Sequence, residues 1–204
     1  MLNIWHRCNA DGSLKDKKDR NEEITDFTYD IHGRMRSQTI GEDSISYTYD
    51  NNGNQLTMTD STGTTTRAYD ELDRATSKIV PNIGTSTYDY DIITGVPDKC
   101  IMERSTDPKG NVTEKITDEA GRLCKVTADG QTSTYDYYEN GNRKSVLYPN
   151  GSKEEYTYYR DNLIWTLTNK KADDSTMDEY SYTYDGAHNQ TSKVDGKGTA
   201  YLYI

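Results

Sequence analysis

Residues 46–54 read SYTYDNNGN, a phrase in which two tyrosines and an aspartate lead into a polar turn that contains Gly53. Similar phrases stand at residues 26–34 (DFTYDIHGR), 133–142 (STYDYYENGN) and 181–189 (SYTYDGAHN). Self-similarity at a fixed period is the sequence signature of a repeat architecture. The phrase therefore predicts an array built from one small unit.

Tyrosine occupies two columns of this repeat. With the second tyrosine of each phrase as position zero, units begin every 19 to 27 residues from Cys8 to Tyr203. Positions zero and minus two hold 14 of the 18 tyrosines. Since a tyrosine ring buries a large apolar area while its hydroxyl finds a partner, these columns predict a tyrosine-built face. The structural positions are Tyr29, Tyr47, Tyr49, Tyr69, Tyr88, Tyr90, Tyr135, Tyr137, Tyr156, Tyr158, Tyr182 and Tyr184.

Position plus four predicts a left-handed backbone. Glycine, aspartate, asparagine or histidine stands there in eight units, and these residue types tolerate positive φ; in the unit that begins at Tyr90, Gly95 stands one place later. Position plus one is usually aspartate, as expected of a turn residue that bonds nearby backbone amides. The residues at plus four are Gly12, Gly33, Gly53, Gly121 and Gly141, with Asp73, Asn162 and His188 in three other units.

Strand chemistry fills the segments between turns. Runs such as residues 35–40 (MRSQTI) and 44–50 (SISYTYD) are rich in Ser, Thr, Ile and Tyr and alternate with period two. We therefore predict an all-β fold, a repeat array of antiparallel β-hairpins with one hairpin per unit. A lead-in at residues 1–7 would precede about nine units at 8–204, with longer units at 90–116 and 158–183 whose extra residues form loops or lengthen strands.

Composition excludes several classes of protein. The net charge of −10 and pI near 4.8 argue against a nucleic-acid partner. The sequence contains no run of 18 apolar residues, so no membrane span is predicted, and the N-terminus lacks the apolar core of a signal peptide. The odd number and wide spacing of Cys8, Cys100 and Cys124 suit neither a disulfide framework nor a zinc site. We predict that all three are free thiols, with a Cys100–Cys124 disulfide as the alternative.

Catalytic residues are not expected. His6, His32 and His188 fall in different units, and the recurring aspartates are copies of one environment rather than an acid–base pair with two environments. We therefore predict that the protein is not an enzyme, with no catalytic, cofactor-binding or metal-binding residues.

The phrases YTYDNNGN, FTYDIHGR and YDYYENGN resemble the YD repeat of RHS-type proteins, and the similarity extends over residues 8–204. That family includes bacterial RHS elements, wall-associated polymorphic toxins, shell subunits of insecticidal toxin complexes and animal teneurins. Its repeats form a long β-sheet that spirals into a hollow shell. The resemblance implies that this chain is an open segment of a spiral β-shell. Nine units are too few to close a shell, so we interpret the chain as a fragment of a longer protein.

The resemblance also implies a function. It indicates a non-catalytic structural segment of a shell that encapsulates or presents a toxin or effector domain carried elsewhere in the full protein. The expected partners are further YD repeats and an effector domain of the same or an adjacent polypeptide, in a secreted or cell-surface protein. The alternative is a carbohydrate-binding or cell-surface adhesion module with glycans as partners, because rows of Tyr, Asn and Asp can stack on and hydrogen-bond sugars.

Overall fold

The computed structural model describes residues 4–203, which form nineteen β-strands and no helix. The strands are β1 (Trp5–Cys8), β2 (Leu14–Lys18), β3 (Ile24–Tyr29), β4 (Met35–Ile40), β5 (Asp43–Tyr49), β6 (Gln55–Asp60), β7 (Gly63–Tyr69), β8 (Ala75–Val80), β9 (Gly84–Ile92), β10 (Ile101–Thr106), β11 (Val112–Thr117), β12 (Leu123–Ala128), β13 (Gln131–Tyr137), β14 (Arg143–Leu147), β15 (Lys153–Tyr158), β16 (Ile164–Lys170), β17 (Thr176–Tyr184), β18 (Gln190–Asp195) and β19 (Ala200–Leu202). Within the described range, no helix is available to cross a membrane.

Strands that follow one another in sequence are antiparallel neighbours. This holds from β1 to β9 and again from β11 to β19. The predicted all-β array of antiparallel hairpins is therefore confirmed. The chain divides into two compact units, one of Met1–Asp89 with Ser105–Gly110 and the other of Tyr90–Arg104 with Asn111–Ile204. The lead-in at 1–7 and the single array at 8–204 stay predictions.

The turn after position zero has the same form in eight of the described units. In the phrase at 46–54, the Asp50 N–H donates to Asn54 O at 3.0 Å, and the Gly53 N–H donates to Asp50 O at 3.3 Å. A turn followed by a left-handed residue is a common hairpin connection. The predicted positive φ at plus four is confirmed for all eight residues: Gly12 (87°), Gly33 (77°), Gly53 (101°), Asp73 (61°), Gly121 (73°), Gly141 (88°), Asn162 (68°) and His188 (68°).

A β-bulge stands beside position zero, a feature that the sequence pattern did not predict. In β5 and β6, Thr48 lies opposite Thr57 while Tyr49 lies opposite Gln55, which leaves Leu56 as the extra residue. Bulges sharpen local strand twist and redirect side chains. Within residues 4–203 the same register shift occurs in eight hairpins.

The two faces of the strands differ in chemistry. In β5, Tyr47 and Tyr49 are half-buried, whereas Thr48 between them is exposed. The Thr48 and Thr57 hydroxyls lie 2.6 Å apart on the exposed face, and Thr28 with Ser37 repeats that contact at 2.6 Å. We call the half-buried side the tyrosine face and the exposed side the threonine face.

Few apolar side chains are fully enclosed. Within the described residues the buried hydrophobic side chains are Phe27, Met102, Ile116 and Val146. All twelve tyrosines predicted as structural positions are half-buried rather than buried. Neighbouring side chains cover part of some rings, as Arg34 does over Tyr49 and Arg122 over Tyr137.

The two longer units divide their additional residues between loops and strands. In the unit at 90–116, β9 extends to nine residues, and the connections at 93–100 and 107–111 are longer than the turns of the regular units. In the unit at 158–183, β16 and β17 extend to seven and nine residues around a turn at 171–175. Extra length therefore enlarges both loops and hairpins.

Candidate functional site

The aspartate at position plus one organises the turn in the repeats that carry it. The Oδ1 atom of Asp30 accepts hydrogen bonds from the backbone N–H groups of His32 at 2.9 Å and Arg34 at 3.0 Å, and its Oδ2 accepts from Arg34 Nε at 2.7 Å. Asp70 and Asp118 bind Arg74 and Arg122 in the same way. Asp50 and Asp185 use Asn54 and Asn189 instead.

These contacts favour the ionised carboxylate. The side-chain hydrogen bond from Arg122, followed by the Arg122 backbone N–H, holds the pKa of Asp118 below its ordinary value. At Asp70 the Arg74 backbone N–H is the largest cause of a lowered pKa. Desolvation opposes the shift in each case but is outweighed by the summed hydrogen bonds. The aspartates are therefore structural anions and not proton donors near neutral pH.

Tyrosines at position zero connect one repeat to the preceding repeat. The Tyr49 hydroxyl donates to Met35 O at 2.8 Å, and the Tyr69 hydroxyl donates to Gln55 O at 3.0 Å. The Tyr137 hydroxyl donates to Leu123 O at 2.8 Å, so the same link occurs in the second unit. Each acceptor is the residue six places after position zero of the earlier repeat.

The arginine at position plus five supports the next tyrosine. Arg34 donates from Nη1 to Asp50 O at 2.8 Å, and its guanidinium lies 4.7 Å from the centre of the Tyr49 ring. Arg122 lies 5.0 Å from the Tyr137 ring in the same arrangement. Such cation–π contacts add about 0.5–1 kcal/mol at exposed sites.

A polar cluster occupies the tyrosine face around position minus two. Glu154 accepts hydrogen bonds from the hydroxyls of Tyr148, at 2.9 Å, and Tyr156. Burial, with the hydrogen bond to Glu154, raises the pKa of Tyr156 to about 12. These hydroxyls therefore stay protonated and serve as hydrogen-bond donors.

The candidate reactive side chains do not converge. His188 Nε2 lies 3.6 Å from Asp161 Oδ2, and His6 and His32 belong to other repeats. Cys8, Cys100 and Cys124 are free thiols, so the alternative Cys100–Cys124 bridge is not formed. Burial raises the pKa of the Cys124 thiol, which is the opposite of nucleophile activation. Within residues 4–203 no three His, Cys, Asp or Glu side chains cluster as metal ligands.

An exposed aromatic surface escaped the sequence prediction. Tyr138, Tyr159 and Trp165 are 36%, 38% and 52% exposed and border two adjoining hollows in the second unit. The available signal was the position-plus-one column, because tyrosine replaces aspartate there in two successive repeats, at Tyr138 and Tyr159.

Comparison with known proteins supports the repeat assignment. Residues 12–95 match the family model described as the teneurin YD-shell. No curated protein sequence matches the chain. The matched segment contains the Gly33 and Gly53 turns and the Tyr49 and Tyr69 links between repeats.

One solved structure shares the fold at low sequence identity, and two others are similar to a lesser degree. The crystal structure of TcdB2-TccC3-TEV matches with a TM-score of 0.50 and 15% identity, over 95% of this chain and 12% of that chain. TcdB2-TccC3-Cdc42 matches with a TM-score of 0.41 and 16% identity, over 94% of this chain and 14% of that chain. The structure of the Photorhabdus luminescens Tc holotoxin pore matches with a TM-score of 0.40 and 16% identity, over 95% of this chain and 14% of that chain. The chain thus spans about an eighth of the length of the first of these structures.

Proposed function

We propose that this chain, whose repeats resemble those of the RHS/YD-repeat family and whose residues 12–95 match the teneurin YD-shell model, is a non-catalytic structural segment of a shell that encapsulates or presents a toxin or effector domain carried elsewhere in the full protein. Its partners would be further YD repeats and that effector domain, on the same or an adjacent polypeptide. A shell of this kind acts outside the cell or at its surface.

The main support is the dependence of each repeat on its neighbour. The hydroxyls of Tyr49, Tyr69 and Tyr137 bond to a carbonyl of the preceding repeat, and the Arg34 guanidinium contacts the following one. Tyrosine rings remain half-buried in a chain with very few enclosed aliphatic side chains. A hairpin that cannot bury its own apolar face is stabilised by stacking on others, as in other repeat proteins. Such an array suits a wall better than a reaction centre.

Limited proteolysis of the complete polypeptide tests this proposal. The expected result is that an effector segment outside residues 1–204 resists trypsin in the intact protein and is cleaved rapidly when expressed alone. Mass spectrometry of the fragments assigns the protected segment. A complete polypeptide without a further domain, or one whose segments are all cleaved as fast as the isolated effector, would contradict the proposal.

A further inference from the structure

Two successive repeats abandon the aspartate that caps the turn. Asp185 in the following repeat accepts from the backbone N–H groups of Ala187 at 2.8 Å and Asn189 at 2.9 Å. Tyr138 and Tyr159 stand at the same position without a carboxylate. In their turns the side chains of Asn140 and Asp161 each accept one backbone hydrogen bond, from Asn142 N–H at 3.2 Å and from Leu163 N–H at 3.5 Å. Departures from the local sequence rules of a fold cost stability and concentrate at functional sites. The loss of the capping aspartate in these two repeats therefore marks a candidate site.

The replacing tyrosines are held firmly in place. The Tyr138 hydroxyl donates to Tyr156 O and the Tyr159 hydroxyl to Tyr182 O, both at 2.9 Å. These hydroxyls reach forward to the next repeat, whereas position-zero hydroxyls reach back. Because their hydroxyls already have acceptors, both side chains offer mainly their ring surfaces to a ligand.

The rings form a continuous surface that we call the aromatic groove: Tyr138, Tyr158, Tyr159, Trp165 and Tyr184. The Tyr159 ring centre lies 6.0 Å from Trp165 and 6.2 Å from Tyr184, and Tyr138 meets Tyr158 edge-on at 6.1 Å. Tyr159 separates a hollow of about 730 Å³, which contains Trp165, from one of about 490 Å³, which contains Tyr184. Volumes of this order are typical of ligand sites.

Three of the polar groups beside the groove are unused donors. In the described part of the chain, the Trp165 indole N–H has no acceptor, and Lys144 and Arg160 form no ion pair. The Asp185 carboxylate already accepts two backbone hydrogen bonds, whereas Asp161 accepts only one, at 3.5 Å, so Asp161 and Glu139 are the open acceptors beside the groove. The three unused donors beside the aromatic rings suit a ligand that presents a row of hydrogen-bond acceptors.

We propose that the aromatic groove binds an extended proline-rich peptide segment. A polyproline II helix has three residues per turn, lacks internal hydrogen bonds and presents its carbonyl oxygens as acceptors, while proline has no N–H to satisfy. Proline-rich segments dock in aromatic-lined grooves of this kind. Prolines on either side of Tyr159 fill the two hollows, and Trp165, Lys144 and Arg160 donate to peptide carbonyls.

Isothermal titration calorimetry of the 204-residue chain with a decaproline peptide tests the proposal. We expect saturable binding to decaproline and none to a flexible Gly-Ser decapeptide. Tyr159→Asp restores the turn-capping residue of the other repeats, so this variant should fold normally yet weaken binding at least tenfold. Trp165→Thr, which introduces the residue type of Thr76 and Thr191 at the corresponding bulge, should have the same effect.

The control variant is Tyr201→Ala, since Tyr201 is equally exposed, at 52%, but lies in β19 outside the groove. It should bind decaproline with unchanged affinity. The proposal is overturned if decaproline gives no saturable heat, if folded Tyr159→Asp and Trp165→Thr bind as well as the parent, or if a chitin hexasaccharide binds and decaproline does not. It concerns this groove alone and stands whether or not the chain encloses an effector.

Discussion

Single residues in the left-handed region define the turns of this protein. Glycine holds position plus four in most repeats, and Asp73, Asn162 and His188 adopt φ of 61°, 68° and 68° where glycine is absent. A side chain with a Cβ atom is disfavoured in this conformation, except for the short polar types that bond locally. The column is thus selected by backbone stereochemistry and not by side-chain contacts.

Gly53→Ala should lower the free energy of unfolding by about 1–2 kcal/mol. The added Cβ meets only Arg34 Nη1, at 3.9 Å, so the cost comes from the φ of 101° rather than from a clash. Gly186→Ala is the matched control, because Gly186 has no positive φ and open space around its Cβ position. Urea denaturation measures both variants, and equal stability of the two would refute the stereochemical explanation.

The hairpin is the element that the sequence specifies most completely. Alternating strands, turn positions and the left-handed column were predictable because each depends on residues within one repeat. The bulge beside position zero and the Tyr137 bond to Leu123 O were not, since both depend on the register between strands. The aromatic groove was missed for a related reason: Tyr138, Trp165 and Tyr184 belong to three different hairpins, and only the fold brings them together.

Tyr137→Phe should destabilise the hairpin array by about 0.5–1.5 kcal/mol, the usual net contribution of one hydrogen bond. The ring and its contact with Arg122 remain, so the measured loss reports the bond to Leu123 O. Tyr135→Phe in the same strand is the control, because within residues 4–203 the Tyr135 hydroxyl has no hydrogen-bond partner. Equal urea midpoints for the two variants would show that the link between repeats contributes nothing.

Acid should destabilise the turns. Asp30, Asp50, Asp70, Asp118 and Asp185 have pKa values below their ordinary value in the folded protein. A depressed pKa contributes stability that is present above the unfolded value, about 3.9, and is lost as pH falls through the folded value. The thermal midpoint from circular dichroism should therefore fall steeply below about pH 4. A midpoint that stays level between about pH 5 and pH 2 would contradict the capping role of these carboxylates.

At the scale of the whole molecule, the protein replaces an aliphatic core with contacts between repeats. Four buried hydrophobic side chains in the described chain are too few to organise 204 residues. The recurring Asp–Arg turns, tyrosine–carbonyl bonds and threonine pairs supply the missing specificity, each joining one strand or repeat to the next. This construction favours a protein that is one stretch of a longer repeat wall.

Cryo-electron microscopy of the complete polypeptide tests that central claim most directly. We predict that residues 8–204 form consecutive hairpins of a continuous wall, joined to further YD repeats, with an effector domain enclosed by that wall. A complete protein in which these residues form a separate domain, unconnected to other repeats and enclosing nothing, would contradict it.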